Sequence, residues 1–183
     1  MQFDDVVKER RTVREFLDKP VPERVIEEIL SLAGNAPSSM NGQPWHFIVV
    51  RNRDTLEKLI GLKNYFCPPE KQEFQADFIR RAPVVIFVCV NREKSFDRGV
   101  ENAVLATAYI LLAACSRGLS GVYMSAYRSN APEIAQSFRE LLEIPADFDP
   151  VTLIPLGYPA VEPPAKSTTP LEEMVSHEAF SKK

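Results

Sequence analysis

Arg10, Arg11 and Arg14 bracket Thr12 within five residues, directly after a short amphipathic stretch from Phe3 to Glu9. A guanidinium presents a planar fork of donors that matches a phosphate bidentately, and a threonine hydroxyl adds one more donor. The segment is a candidate anion site, weighed against the plainer reading of a solvated basic turn. A second constellation runs Ala36-Pro37-Ser38-Ser39-Met40-Asn41-Gly42-Gln43-Pro44-Trp45-His46-Phe47. Two prolines stiffen this loop, Gly42 offers a positive φ, and Ser38, Ser39, Asn41 and Gln43 supply hydrogen-bonding groups. A rigid polar loop that feeds an apolar run is a frequent way to present a ligand site. Trp45, the single tryptophan, reads as a core residue closing the loop. His46 reads as a packed or hydrogen-bonded structural residue, because the only other histidine, His177, lies in the tail and no G-x-S-x-G turn supplies a nucleophile. No H-E-x-x-H or similar spacing marks a metal site, and no metal is expected.

Composition narrows the chemistry further. The chain has 183 residues, 45% hydrophobic and 26% charged, which suits a packed core in one domain over 1–183, with a C-terminal arm from about 159 to 183. With 22 Lys+Arg against 25 Asp+Glu the formal charge is −3, so no nucleic-acid partner is expected. There are only seven glycines and no G-x-G triplet, which excludes a dinucleotide fingerprint or a Walker loop. Cys67, Cys89 and Cys115 are odd in number and form no C-x-x-C pair, as expected of a reduced, cytoplasmic protein. The acidic start, Met1 to Asp5, lacks the apolar stretch of a signal peptide. The longest largely apolar run, Ala103 to Cys115, falls short of the roughly 20 residues a membrane span needs, so no membrane association is expected.

The elements that must position these residues follow from pattern. Pro22 stands where a helix can begin, and Val25, Ile26, Ile29, Leu30 and Ala33 continue at helical spacing until Gly34 and Pro37. His46 to Arg51 reads as a strand, and about Asp54 to Leu62 as a helix. Asn64 to Gln75 is proline-bearing and ambiguous, with a helix resuming before Arg81. Pro83 to Val90 is apolar on both faces, the mark of a central strand. A long helix is expected from about Asp97 to Arg117, stopped by Gly118. A short strand over Val122 to Ala126, a helix over Ala131 to Glu143 and a last strand over Val151 to Leu156 precede the proline-rich tail. Strands alternating with helices define a three-layer α/β or α+β arrangement. The long helix is apolar all round between Ala103 and Ala113, so either other helices of the chain or a second subunit must cover it, and the second subunit is the favoured cover.

Together these residues resemble the FMN-dependent nitroreductase family. Arg10-Arg11-Thr12-Val13-Arg14 is similar to its R-R-S/T-x-R signature, and Pro37 to Trp45 to its P-S-S-x-N-x-Q-P-W signature. Asp97, Asn102, Leu105-Ala106 and Gly118-Leu119 resemble its central dimer helix, and Ile154 to Pro159 the strand and turn before its C-terminal arm. The resemblance spans essentially the whole chain. It implies an α+β fold with a central mixed, mostly antiparallel sheet flanked by helices, in an interlocked homodimer whose sites use both chains. It also implies tightly held FMN, with hydride passing from NADH or NADPH to flavin N5 and on to a nitroaromatic, quinone or related small acceptor by a ping-pong mechanism.

Residue roles carried by the resemblance are as follows. Arg10, Arg11 and Thr12 hold the FMN phosphate and ribityl chain, and Arg14 reaches the N1–C2=O edge, where charge develops on reduction. Asn41 bonds the pyrimidine edge, and Pro37, Ser38 and Ser39 line the flavin from the partner chain. Met124, Ser125 and Ala126 meet the ring near N5, where a backbone N–H points, and no side chain is assigned as a catalytic acid or base. Lys166 and Thr168 belong to the arm that meets the phosphate. Two departures stand out: Ser125-Ala126 replaces an acidic or small residue followed by glycine, and Thr168 replaces the last arginine of a K-S-R pattern. The alternative is a flavin-binding or flavin-sensing protein of the same fold without turnover.

Overall fold

The computed structural model describes residues 1–68, 75–128 and 131–180. Helix α1 spans Phe3–Glu9 and α2 spans Glu23–Ala33, the latter starting directly after Pro22. Strand β1 (Trp45–Val50) leads into α3 (Arg53–Tyr65), whose first turn is capped by Asn52 accepting from the Thr55 amide at 3.0 Å. The segment expected to resume helix before Arg81 does so as a 3₁₀ helix, Ala76–Arg81, ahead of Pro83. Strand β2 is Val84–Asn91 and helix α4 is Gly99–Cys115. The short strands β3 (Ser120–Gly121) and β4 (Met124–Ser125) precede α5 (Glu133–Leu141) and the long β5 (Phe148–Gly157). A single-turn α6 (Leu171–Met174) sits in the tail.

The strands form one sheet in the order β1-β2-β5-β3, with β4 also paired to β5, and every strand pair is antiparallel. The described parallel pairing is a lone bridge between Thr12 and Gly121. Because side chains alternate along β2, Val84, Ile86, Val88 and Val90 pack on α2 and α4, while Val85, Phe87 and Cys89 pack on α3 and α5. Phe87 meets Phe138 of α5 edge-on, with ring centres 5.5 Å apart. Three layers result, as the two-faced apolar pattern of β2 requires. The fold is the expected α+β arrangement.

Two elements differ from their sequence reading. Helix α4 starts at Gly99 instead of Asp97, because Phe96 and Asp97 hold φ of 49° and 58° and cannot be helical. Its stop is as expected, with Gly118 at φ 72° and the Leu119 amide bonded back to the Ala114 carbonyl at 3.0 Å. The strand expected over Val122 to Ala126 is broken: β3 and β4 share the outer edge of β5 but flank a gap opposite Pro155. A proline has no N–H to donate to that ladder, although the Pro155 carbonyl still accepts from the Val122 amide at 3.2 Å.

Helix α4 buries Ala103, Ala106, Ile110, Ala113 and Ala114 against the sheet layer. Thr107, the one buried hydroxyl of the helix, donates to the Ala103 carbonyl at 2.8 Å and accepts from the Thr152 hydroxyl at 2.6 Å, so it enters the core fully satisfied. The opposite side stays open. Val104, Leu105 and Tyr109 are 38%, 39% and 38% exposed, a contiguous apolar stripe that the chain itself does not cover. No helix among the described residues is long and apolar enough to cross a membrane.

Candidate functional site

The basic segment lies where the chain leaves α1 and crosses the outer edge of the sheet. Thr12 bridges Gly121 and Phe16 bridges Pro159, so the segment is pinned across the ends of β3 and β5. Gly121 permits this crowding: a Cβ there would lie 2.6 Å from a Leu156 methyl and 2.9 Å from the Pro155 oxygen. Val13 and Phe16 are buried, which leaves Thr12 and Arg14 facing out. The Arg11 guanidinium is braced by the Lys8 and Arg10 carbonyls and reaches the Pro164 carbonyl at 3.3 Å. That last contact draws the arm across the basic segment two residues before Lys166. Lys166 and Thr168 are both exposed there. Arg14 rests over the Phe78 ring, 5.8 Å from its centre.

The proline-flanked loop sits elsewhere, at the N-terminal end of α4. Asn102, 1% exposed, accepts from the Ser39 amide at 3.0 Å and donates to the Ser95 carbonyl at 3.2 Å. The Ser38 hydroxyl oxygen accepts from the Gln43 amide at 3.0 Å, and the Gln43 side chain donates to Asn41 at 3.1 Å. Gly42 does not supply the positive φ; it lies at −67°, while Met40, Asn41 and Gln43 hold 49°, 54° and 44°. Glycine is required for space: a Cβ at Gly42 would fall 2.1 Å from the Lys94 carbonyl oxygen. Three non-glycine residues in left-handed conformation within four positions are strain that the surrounding bonds must hold. Pro37 and Asn41 are exposed, and Ser38 and Ser39 half-buried. Trp45 is half-buried against the α2/α4 core, whereas His46 is exposed and meets the Phe148 ring edge-on at 5.8 Å, packed but outside the core.

The third part is the outer edge of the sheet at β4. The Val122 and Ala126 amides donate inward to Pro155 and Val151, at 3.2 and 2.8 Å. Antiparallel alternation therefore turns the N–H and C=O of Ser125 outward, to the open edge. Of Met124, Ser125 and Ala126, only Ser125 offers an N–H to a ligand. Its hydroxyl is spent locally, accepting from the Tyr127 amide at 3.2 Å and donating to the Tyr127 carbonyl at 2.5 Å. The outward Ser125 carbonyl accepts from the Lys63 ammonium at 2.9 Å. Burial, and then the charge of Arg128, push Lys63 below the ordinary lysine range. Beyond Ala126 lies a cavity of about 580 Å³ lined by Tyr127, Arg128, Arg92, Arg139 and Asp149. Asp149 pairs with both Arg92 and Arg139, at 2.7 and 2.9 Å, and the Arg92 hydrogen bond leads in holding its carboxyl below the usual range.

The structure thus brings Arg10, Arg11, Thr12, the arm and the Met124–Ser125 edge together, but not the loop. Helix α4 separates them. Cys115 at its C-terminal end touches the Val6 carbonyl of α1, and Asn102 at the other end holds the loop. Between those two residues an α-helix rises about 20 Å. Asn102 and Lys63 are the contributors that residue patterns did not single out for roles. Asn102 stands directly before the apolar run from Ala103 to Ala113, which is the signal that marks it; Lys63 has none in sequence.

A three-layer α+β protein with a two-part polar site is the class these features define. The nitroreductase family profile matches residues 7–158, which contain the basic segment, the loop, α4 and the β4 edge. The chain belongs to the nitroreductase family. A relative from Methanothermobacter thermautotrophicus, provisionally named an NADH dehydrogenase/NAD(P)H nitroreductase, is 39% identical over 165 residues, covering 89% of this chain and 80% of its own. The oxygen-insensitive NADPH nitroreductase of Salmonella typhimurium is 31% identical over 172 residues, covering 92% of this chain and 70% of its own. Among solved structures, an FMN-dependent nitroreductase from Clostridium difficile aligns with a TM-score of 0.81 at 28% identity, over 96% of this chain and 98% of its own.

Proposed function

We propose that the chain is an FMN-dependent NAD(P)H oxidoreductase that works as a homodimer and reduces a nitroaromatic, quinone or related small acceptor. The observation that carries this reading is the placement of the two motifs at opposite ends of α4, joined by an uncovered apolar stripe. Two copies meeting through Val104, Leu105 and Tyr109 with α4 antiparallel set the loop of one chain beside the basic segment of the other. The same pairing covers the stripe.

The donors present fit the cofactor. Arg10, Arg11 and Lys166 are cations grouped by the Arg11–Pro164 contact, suited to a phosphate, with Thr12 beside them for the ribityl chain. The outward Ser125 N–H suits a ring nitrogen acceptor. Arg14, exposed next to that edge, is the cation for the pyrimidine end. Pro37, Ser38, Ser39 and Asn41 close the site from the partner. Bound FMN supplies the redox chemistry, accepting hydride from NADH or NADPH and giving it to the acceptor in separate half-reactions. The protein's part is to bind, orient and electrostatically support, and no side chain need act as acid or base. The matching proteins with FMN or NAD(P)H in their names support this assignment. A reducing cytoplasm is the compartment it implies.

The visible spectrum of the purified protein tests the reading. Flavin bands, with NADH or NADPH oxidation stimulated by a quinone or nitroarene, are expected. A colourless protein that takes up no added FMN overturns it. Flavin bands without turnover faster than free flavin leave a flavin-binding protein instead of a reductase.

A further inference from the structure

Outside the basic segment, Lys63 and Arg128 differ from the other half-buried cations among the described residues. Arg51, Arg117 and Arg139 each hold a carboxylate, Glu23, Glu28 and Asp149 respectively, at 2.9, 3.2 and 2.9 Å. Lys63 instead holds the Ser125 carbonyl at 2.9 Å, and Arg128 holds the Phe66 carbonyl at 3.1 Å. Among the described residues neither forms an ion pair. A carbonyl occupies one of the three ammonium donors and cancels no charge. Two like charges set near each other in a half-desolvated place favour an anion between them.

Their location gives that anion a role. The Ser125 carbonyl and N–H point the same way from the open sheet edge, so the Lys63 ammonium lies beside the one free backbone donor of β4. Arg128 also lines the adjoining cavity of about 580 Å³, a volume suited to a small molecule. Arg92 and Arg139, also in that wall, share the one carboxylate of Asp149, and Asp97 and Glu101 line the same cavity.

We infer that Lys63, with Arg128, selects acceptors that carry an anionic substituent such as a carboxylate, holding it at the β4 edge next to the reacting side of the flavin. The inference rests on the flavin reading above. It assigns this chain a preference among acceptors, set by residues outside both signature motifs. A purely structural part, tying α3 to the sheet edge through the two carbonyls, is the competing account.

Benzoate and benzamide, alike in shape and different in charge, separate the two. Each is titrated into the flavin-loaded protein by the change in flavin absorbance, and in parallel by calorimetry, which does not depend on colour. Wild type is expected to bind benzoate about tenfold more tightly than benzamide, the scale of one charge-assisted contact. Lys63→Gln is expected to abolish most of that ratio, and Lys63→Arg to keep it. The ratio of kcat/KM for 4-nitrobenzoate over 4-nitrobenzamide is expected to fall with it. Equal affinities in wild type, or an equal loss for both ligands in Lys63→Gln, overturn the inference in favour of the structural account. If Lys63→Gln does not fold, Arg128→Gln is read by the same ratio. Failure to take up flavin overturns the underlying reading, whereas flavin uptake without charge discrimination overturns this inference alone.

Discussion

Arg14 shows what a single residue contributes and how little its surroundings restrain it. It is exposed and leans on Phe78, free to turn towards a ligand at the sheet edge. In the proposed site, Arg14→Ala takes a cation from the place where reduction adds negative charge. A charge-assisted hydrogen bond is worth roughly 1.5–3 kcal/mol, and for a two-electron couple about 30 mV corresponds to 1.4 kcal/mol. The midpoint potential of the bound flavin is therefore expected to fall by about 30–60 mV, read by equilibration with reference dyes. An unchanged potential in a folded, flavin-loaded variant would place Arg14 away from the ring. The arm offers a second residue-level test. Thr168 is exposed and Lys166 is its nearest cation in sequence, so in the proposed site Thr168→Arg adds one screened partner for the phosphate. Flavin titration should show tightening of up to about tenfold, and Lys166→Ala the reverse.

At the level of elements, Gly42 was legible as important but for the wrong physical reason. Sequence gives a glycine in a polar loop and hence a positive φ; the structure gives three neighbours that φ and leaves Gly42 pressed on the Lys94 carbonyl. A pattern of residue types cannot reveal a contact between segments half a domain apart. The same holds for Lys63, which looks like any lysine at the end of an amphipathic helix until β4 is folded against it. By contrast the basic segment, the loop, both faces of β2 and the Gly118 stop were readable, because each is written in local spacing. The break between β3 and β4 lay between the two cases: Pro155 was visible, but its effect needed the register. Gly42→Ala is expected to destabilise the protein by about 1–3 kcal/mol, the usual range for overpacking, and to weaken flavin binding together with it. Thermal melting and flavin titration check this, and an unshifted melting temperature would show that the loop moves aside without cost.

For the whole molecule, the open side of α4 is the feature on which the proposed dimer turns. Leu105 is the cleaner probe of it, since Ile110 is fully buried under the sheet and a charge there attacks the fold itself. Leu105→Asp leaves the core intact and sets a charge in the stripe, where burial against a second copy costs several kcal/mol. Sedimentation should show a folded monomer, and flavin should be lost in step with the dimer. A monomer that keeps its flavin would mean that one chain builds the site alone.

The roughly 20 Å span of α4 also has a genetic consequence. If each site takes its basic segment from one chain and its loop from the other, the two kinds of defect are separable between alleles. A dimer pairing an Arg11→Glu chain with an Asn41→Ala chain gathers both lesions into one site and leaves the other wholly wild type. Co-expression of two inactive alleles should then restore about a quarter of normal flavin-dependent activity under random mixing, since half the dimers are mixed and half their sites are sound. A single allele carrying both changes should restore nothing when paired with itself. Two broken genes would make one working enzyme.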